Sequence, residues 1–392
     1  MPRRAGAIPE RAPAQPVEPD LRAGLAALTD VTAIQPARRS GSTSLTWVAD
    51  RPTRRALPEV RGAANLATMP VVSVLMACHR DTPFLRPALA SVLGQTLADL
   101  ELVLVDNGAK LDPATLGDAG RDPRLRWIRF PSNQGIPAAH NAAVAAAQGE
   151  FIALLDHDDV MRPARLEKQV ALLQAEPALA LVSSLAETID ANGRVTGREF
   201  ALVGGEEQRR YSEFAAPVVT PAYTGRREVF VDLPYRAEFS LTADFDFLAR
   251  AAEQVGLGAV PEVLLHYRRH AAQATVEHAV RISAERCAIR LLAARRRAGR
   301  KEGQWGSRLK SVAQHPPKEA DMLLRFARQF LDEGFFLQAA WHARRSVAAR
   351  KLSFFSAWSL LKEIQRGAGP ERARATRMFW HGPVRALELQ PG

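Results

Sequence analysis

Strand-like and helix-like stretches alternate from residue 70 to residue 176, and most of the strand-like ones are apolar almost from end to end. VVSVLM (71–76), LELVLVD (100–106) and FIALLD (151–156) are runs of this kind, and LRWIRF (125–130) alternates. Between them, PFLRPALASVLGQ (83–95) has helical spacing through Leu85, Leu89, Val92 and Leu93. GIPAAHNAAVAAAQG (135–149) is Ala-rich and stops at Gly149, as a helix does. PARLEKQVALLQAE (163–176) opens on Pro163, a residue suited to a first helical turn. A strand that is apolar on both sides must be covered on both faces. The expected fold is therefore α/β, a mostly parallel sheet with helices on both faces. Ligands in such sheets bind beyond the C-terminal strand ends.

Asp106 and Asp156 stand where apolar strands end, and Asp158 and Asp159 follow within three residues in LLDHDD. Two carboxylates spaced D-x-D on a turn can point the same way. They can hold a divalent cation through a few oxygens, leaving positions for water and phosphate, an arrangement that suits magnesium or manganese. A helix N-cap is the competing use of Asp158 or Asp159, and three aspartates exceed what a cap needs. After the first strand, MACHRDTPF contains no glycine, which argues against a dinucleotide-binding G-x-G-x-x-G turn. No G-x-x-x-x-G-K-[ST] occurs either, so a P-loop is excluded. What remains is an α/β sheet that handles phosphate through a metal.

Residues 1–69 are rich in Pro, Ala and Arg without sustained period, and are expected to be disordered apart from a short helix at DLRAGLAALTDV. The basic N-terminus has no apolar core after it and does not read as a secretory signal. Residues 70–274 form the α/β domain, within which 185–240 has no readable pattern. From about 275 the chain reads as helical only. MLLRFARQFLDEGFFLQAAWHARRSVAAR (322–350) reads as two helices broken at Asp332-Glu333-Gly334, a hairpin of the tetratricopeptide kind. Leu323, Phe326 and Phe330 are expected to face Phe335, Ala339 and His342. The net charge of +11 is concentrated there: residues 274–392 hold 23 Lys/Arg against 10 Asp/Glu. That surface could meet nucleic acid, anionic lipid or a charged polymer, or be a solvated Arg-rich helical face. Two cysteines, Cys78 and Cys287, are too few for a disulfide framework, so a reducing compartment is expected. No apolar run reaches membrane-spanning length.

Five stretches occur in a telling order: VSVLMACHR with PALASVLGQT, ELVLVDNG, NQGIPAAHNAAVAAAQGEFIALLDHDD, LTADFDFLARAAE and VPEVLLHYRRH. Together they make residues 71–273, about half the chain, resemble family 2 glycosyltransferases of the GT-A fold. The resemblance implies a nucleotide-sugar donor, a UDP-sugar first, a Mn2+ or Mg2+ cofactor and inverting transfer to a glycan or lipid-linked acceptor. It implies that Asp106 contacts the nucleoside, and that Asp156 and Asp158 hold ribose and the metal. It further implies that Asp244 is the catalytic base and that His270 lies near the donor phosphates and the metal. Ala77, His79, Arg80, Asn133, Gly135 and His140 fall on the family's donor-contacting stretches.

Each role has a plainer rival. Asp244 could serve the dipole of its helix, Asp106 could form the turn before Asn107-Gly108, and His270 could sit on the surface. Asp246 reads as structural. Arg268 and Arg269 could bind phosphate or be solvated.

The chain departs from the family pattern at Ala77, His79 and Arg80, where proline, tyrosine and asparagine are usual. It departs again at Asn107 and Ala243, where acids are usual, and at His140, where arginine is usual. A nucleotidyltransferase of similar architecture and a non-catalytic scaffold acting through the helical tail are the competing functions. The expected location is the cytoplasm or the inner face of a membrane, with the basic tail touching anionic lipid and no nucleic acid as partner.

Overall fold

The apolar runs pair as strands in the register their burial demands. Val72–Cys78 (β1) lies parallel between Leu100–Asn107 (β2) and Phe151–Leu154 (β4), and β2 pairs in parallel with Leu125–Phe130 (β3). All eight residues of β2 are buried, as a strand covered on both faces requires. The computed structural model describes residues 69–199, 201–213, 215–303, 318–349, 354–366, 369–377 and 379. The short helix expected at 20–31 and the disorder expected before residue 69 fall outside these residues.

The sheet runs β3-β2-β1-β4-β8-β6-β9-β5, with β7 paired to β6. Its second half is mixed, where the sequence suggested a mostly parallel sheet. Thr224–Arg226 (β8) is antiparallel to both β4 and Leu179–Ile189 (β6). Gly256–Arg268 (β9) is parallel to β6, Val160–Met161 (β5) is antiparallel to β9, and Val195–Arg198 (β7) forms a hairpin with β6. These pairings arise within 151–268, where strands are joined by hairpins and loops as well as by crossover helices.

Leu85–Leu93 (α1), Ile136–Ala146 (α2) and Arg165–Ala175 (α3) fall where the periodicity placed helices. One reason differs. α2 ends at Ala146, and Gly149 is required by a close approach instead: a Cβ there would lie 2.6 Å from the Ser73 nitrogen of β1. Gly205–Tyr211 (α4), Arg227–Asp232 (α5) and Ala243–Gln254 (α6) complete the sheet domain.

Beyond it come Ala274–Glu277 (α7), Ala279–Arg297 (α8), Glu319–Asp332 (α9), Phe336–Ala349 (α10) and Phe354–Gln365 (α11). The expected hairpin is α9 and α10, with Phe330 stacked on His342 at 4.7 Å. Met322, Leu323, Phe326, Ala327, Phe330 and Leu331 form the buried stripe of α9.

Two apolar cores result, and α6 belongs to both. Ala243, Phe247, Leu248, Ala251 and Ala252 pack into the sheet core, while Phe245 and Ala249 pack with α8 to α11. Among the described residues, no helix is long and apolar enough to cross a membrane.

Candidate active site

Because β1, β2 and β4 are parallel neighbours, their C-terminal ends open at one edge. Cys78 pairs with Asp106 and Leu75 with Leu154, so the loops after all three strands leave the sheet together.

The acidic loop follows β4. One carboxylate oxygen from each of Asp156, Asp158 and Asp159 lies within 4.8 Å of the others. Asp156 is exposed to solvent. Desolvation by the protein packed around it, then the negative Asp158 and Asp244, raises its carboxyl above the ordinary range. Asp159 is fully buried; Oδ1 accepts from the Arg268 backbone N–H at 2.7 Å, and Oδ2 has no hydrogen-bond partner. Burial and the two neighbouring acids raise its carboxyl well above the ordinary range. His270 reaches Asp158 Oδ2 with Nε2 at 2.9 Å.

An all-oxygen donor set with an orphaned buried carboxylate oxygen, and one imidazole beside it, fits a hard divalent cation. The residues that would hold the ion are Asp156, Asp158 and Asp159, with His270 beside them.

The loop is braced from beneath. Arg268, 4% exposed, donates Nε to the Asp158 carbonyl at 2.8 Å and Nη1 to the Asp190 carbonyl at 2.9 Å. Its guanidinium lies 4.7 Å from the centre of the Phe84 ring. Arg268 is thus buried and bonded to backbone carbonyls, not solvated, and Arg269 pairs with Glu199 on the surface. The sequence showed Asp159 and Arg268 but not their bond, because they are 109 residues apart.

Asp244 enters from α6. Thr220 Oγ1 donates to its Oδ2 at 2.8 Å, and Oδ1 makes no hydrogen bond among the described residues. Its charge acts on Asp156, His140 and Tyr235, so it lies near all three. His140 packs edge-on against Tyr235 at 5.0 Å, and burial keeps its imidazole below the usual value. Asn141 pins Tyr235 by two bonds to its backbone, at 2.8 and 2.9 Å.

Asp246, two residues on, is fully buried and pairs with Arg236 and Arg250, the structural role read from the sequence. Ala243 is 1% exposed and packs into the sheet core, so its position does not face the cleft.

The remaining residues sit at the ends of β1 and β2. Ala77 is half-buried opposite Val105, and His79 and Arg80 are exposed just beyond. Arg80 donates to His79 Nε2 at 3.0 Å and reaches Glu277 of α7 at 3.4 Å. His157, unread in the sequence, stands edge-on to His79 with ring centres 6.2 Å apart.

Asp106 is 2% exposed, and both its oxygens are engaged, by the N–H groups of Lys110 and Leu111 at 3.0 and 2.8 Å. It builds the loop after β2. Asn107 does what an aspartate could not: Nδ2 donates to Asn133 Oδ1 at 3.1 Å and Oδ1 accepts from the Gln134 N–H at 2.8 Å. Asn133 Oδ1 also accepts from the Gly135 N–H at 2.8 Å, at the start of α2. Gly108 closes this join with φ +83°, where a Cβ would lie 2.5 Å from the Asn133 nitrogen.

The model of glycosyl transferase family 2 matches residues 73–233, which contain the acidic loop and the ends of β1 and β2. The uncharacterised glycosyltransferase MJ1057 of Methanocaldococcus jannaschii is 30% identical over 206 residues, 51% of this chain and 71% of that one. The chain belongs to glycosyl transferase family 2. This glycosyltransferase is also 27% identical over 252 residues to the O-antigen biosynthesis protein RfbC of Myxococcus xanthus, covering 63% of its own length and 20% of RfbC. The crystal structure of S. aureus TarS 1–349 in complex with UDP-GlcNAc aligns with a TM-score of 0.47 and 17% identity, over 79% of this chain and 92% of that one. The sheet of this glycosyltransferase, four parallel strands β3-β2-β1-β4 flanked by the antiparallel β8, is of the GT-A type expected from the sequence.

Proposed function

We propose that this glycosyltransferase moves a sugar from a nucleoside-diphospho-sugar to an acceptor hydroxyl with inversion at the anomeric carbon. The observation that carries the reading is Asp244 near enough to Asp156 for its charge to act there, with one carboxylate oxygen fixed by Thr220 and the other without a hydrogen bond among the described residues.

In this reading Asp156 and Asp158 bind the donor, with Asp159 and His270 beside them, and Mn2+ or Mg2+ completes the site. When bound, such an ion neutralises charge on the leaving diphosphate. Ala77, His79, Arg80, Asn133, Gly135 and His140 line the path to the nucleoside. Asp106 acts from behind, by shaping the loop with both its oxygens. Asp244 accepts the acceptor's hydroxyl proton as the acceptor oxygen bonds to the anomeric carbon. The bond from that carbon to the diphosphate oxygen breaks on the opposite face, through an oxocarbenium-like state.

A UDP-linked sugar is the first donor to test. The acceptor is a glycan or a lipid-linked precursor, a reading that RfbC, named for O-antigen biosynthesis, favours. The site of action is the cytoplasm or the inner membrane face, and the excess of Lys and Arg in 274–392 favours contact with anionic lipid. Residues 1–69, 70–274 and 275–392 are the three regions, the last joined to the second through α6.

The test separates base from binding site. Asp244→Asn should keep donor affinity and lower kcat by about 10²–10⁴, the usual worth of a general base. Asp158→Ala should lose donor affinity in the presence of metal. Full turnover in Asp244→Asn sinks the assignment of the base.

A further inference from the structure

A second charged cavity lies away from the cleft, where α8 meets the start of α9 and the middle of α10. Its volume is about 320 Å3, and Arg286, Arg290, Arg345, Glu319, Ser283 and Trp341 are among its lining residues. Three guanidiniums face one carboxylate. Glu319 is itself partly committed, accepting from Ser283 Oγ at 3.1 Å and lying 3.8 Å from Arg345.

Arg290 is 4% exposed, and Arg286 has a buried Nε with no hydrogen-bond partner. Both guanidiniums lie beside Phe245, at 5.4 and 5.9 Å from its ring centre. Burial, then the like charges of Arg345 and Arg286, hold Arg290 down at about 9. Like charges gathered in a partly closed space repel strongly because little water screens them. Among the described lining residues three arginines stand against one glutamate, and the Arg286 Nε–H has no hydrogen-bond partner there.

We propose that this cavity binds a phosphate dianion, free or as the head of a phosphomonoester, at a site separate from the transferase cleft. A phosphate near neutral pH carries close to two negative charges and several strong acceptor oxygens. Guanidinium forks suit those oxygens better than any other side chain. The cavity is large enough for the anion and a small organic group, for which the Trp341 ring offers a flat wall. Binding would neutralise the repulsion between α8 and α10 and so tighten the helical unit against α6. α6 presents Phe245 to the arginines and the adjacent Asp244 to the cleft.

The experiment is thermal unfolding of the full chain in metal-free, phosphate-free buffer, titrated with inorganic phosphate, with glycerol 3-phosphate and with vesicles containing phosphatidic acid. The wild type should show a saturable rise in midpoint at millimolar anion or below. Arg286→Gln and Arg345→Gln should each weaken the apparent affinity at least about tenfold, the usual worth of a charge-assisted bond. Asp158→Ala should leave the rise intact, because the acidic loop takes no part.

Response to the soluble anions assigns a free phosphate or phosphomonoester, and response to vesicles alone assigns a lipid headgroup. No rise with any of the three probes overturns the proposal. So does a rise lost only in Asp158→Ala, which belongs to the cleft. A purely structural role for the arginines lowers the variants' phosphate-free midpoints and leaves the phosphate-induced rise unchanged, and that result also overturns it.

Discussion

Arg268 shows how one side chain can brace the acidic loop from behind. Its backbone N–H and its guanidinium hold Asp159 and the Asp158 carbonyl, and its other end is tied to Asp190. Truncating it to Ala should free the loop. Manganese affinity should fall about 10–100-fold, the usual effect of losing a group that orients metal ligands. Calorimetric titration of manganese into the variant checks this; unchanged affinity would mean that the residue-268 backbone N–H and the flanking strands hold the loop without the guanidinium. Nothing local in the sequence marks Arg268, because RR in HYRRH offers two equal candidates and the choice depends on β9 running beside β6. The acids themselves were legible, since three carboxylates at a strand end have few uses. Asp106 was legible as a special residue, with both readings open; the structure engages its oxygens in a turn.

At the scale of elements, α6 is the hinge between site and tail. It carries Asp244 on one turn and buries apolar residues in two cores. Its entry is held by α8: the Glu285 carboxylate, 1% exposed, accepts from the Leu241 N–H at 2.9 Å and from Thr242 Oγ1 at 3.0 Å. Its first turn is held by Asp246 between Arg236 and Arg250. Asp246→Ala should destabilise the fold by about 3–5 kcal/mol, because it leaves the buried Arg250 without its carboxylate partner while Arg236 keeps only Glu302 and the more distant Glu238. Urea unfolding reads this directly, and a loss below about 1 kcal/mol, the scale of an exposed pair, would show the network to be peripheral.

The helices α1 to α3, α9 and α10 were legible from their spacing, and so were β1 to β4, whereas α4 and α5 fall in the stretch 185–240 that had no readable pattern. The mixed half of the sheet was not, because β7 is exposed throughout and β8 has three residues. One available signal was the Asn192-Gly193 turn, which marks the β6–β7 hairpin.

For the whole molecule, buried ionisable groups make stability depend on pH in opposing directions. His342 is fully buried, with Nδ1 on the Gln338 carbonyl at 2.7 Å, and burial beside Arg290 keeps it neutral well below the usual imidazole range. Below about pH 6.5 the unfolded chain takes up a proton at this residue that the folded chain refuses, which removes up to about 1.4 kcal/mol per pH unit. The raised carboxyls of Asp156 and Asp159 act the other way, since the folded chain keeps protons that the unfolded chain loses above about pH 4. Comparing His342→Phe with the wild type isolates the first effect. The variant should lose less stability between pH 7 and pH 5 than the wild type, by chemical denaturation at each pH. Identical slopes would mean that this imidazole titrates normally in the folded chain.

The central claim is that the acidic loop binds a nucleoside-diphospho-sugar with a divalent cation. Thermal unfolding with UDP-, GDP-, dTDP- and CMP-linked sugars, each with and without manganese, tests it most directly. The account predicts a manganese-dependent rise in midpoint with one nucleotide class, absent in Asp158→Ala. No rise with any of these donors, or an equal rise in Asp158→Ala, would contradict it.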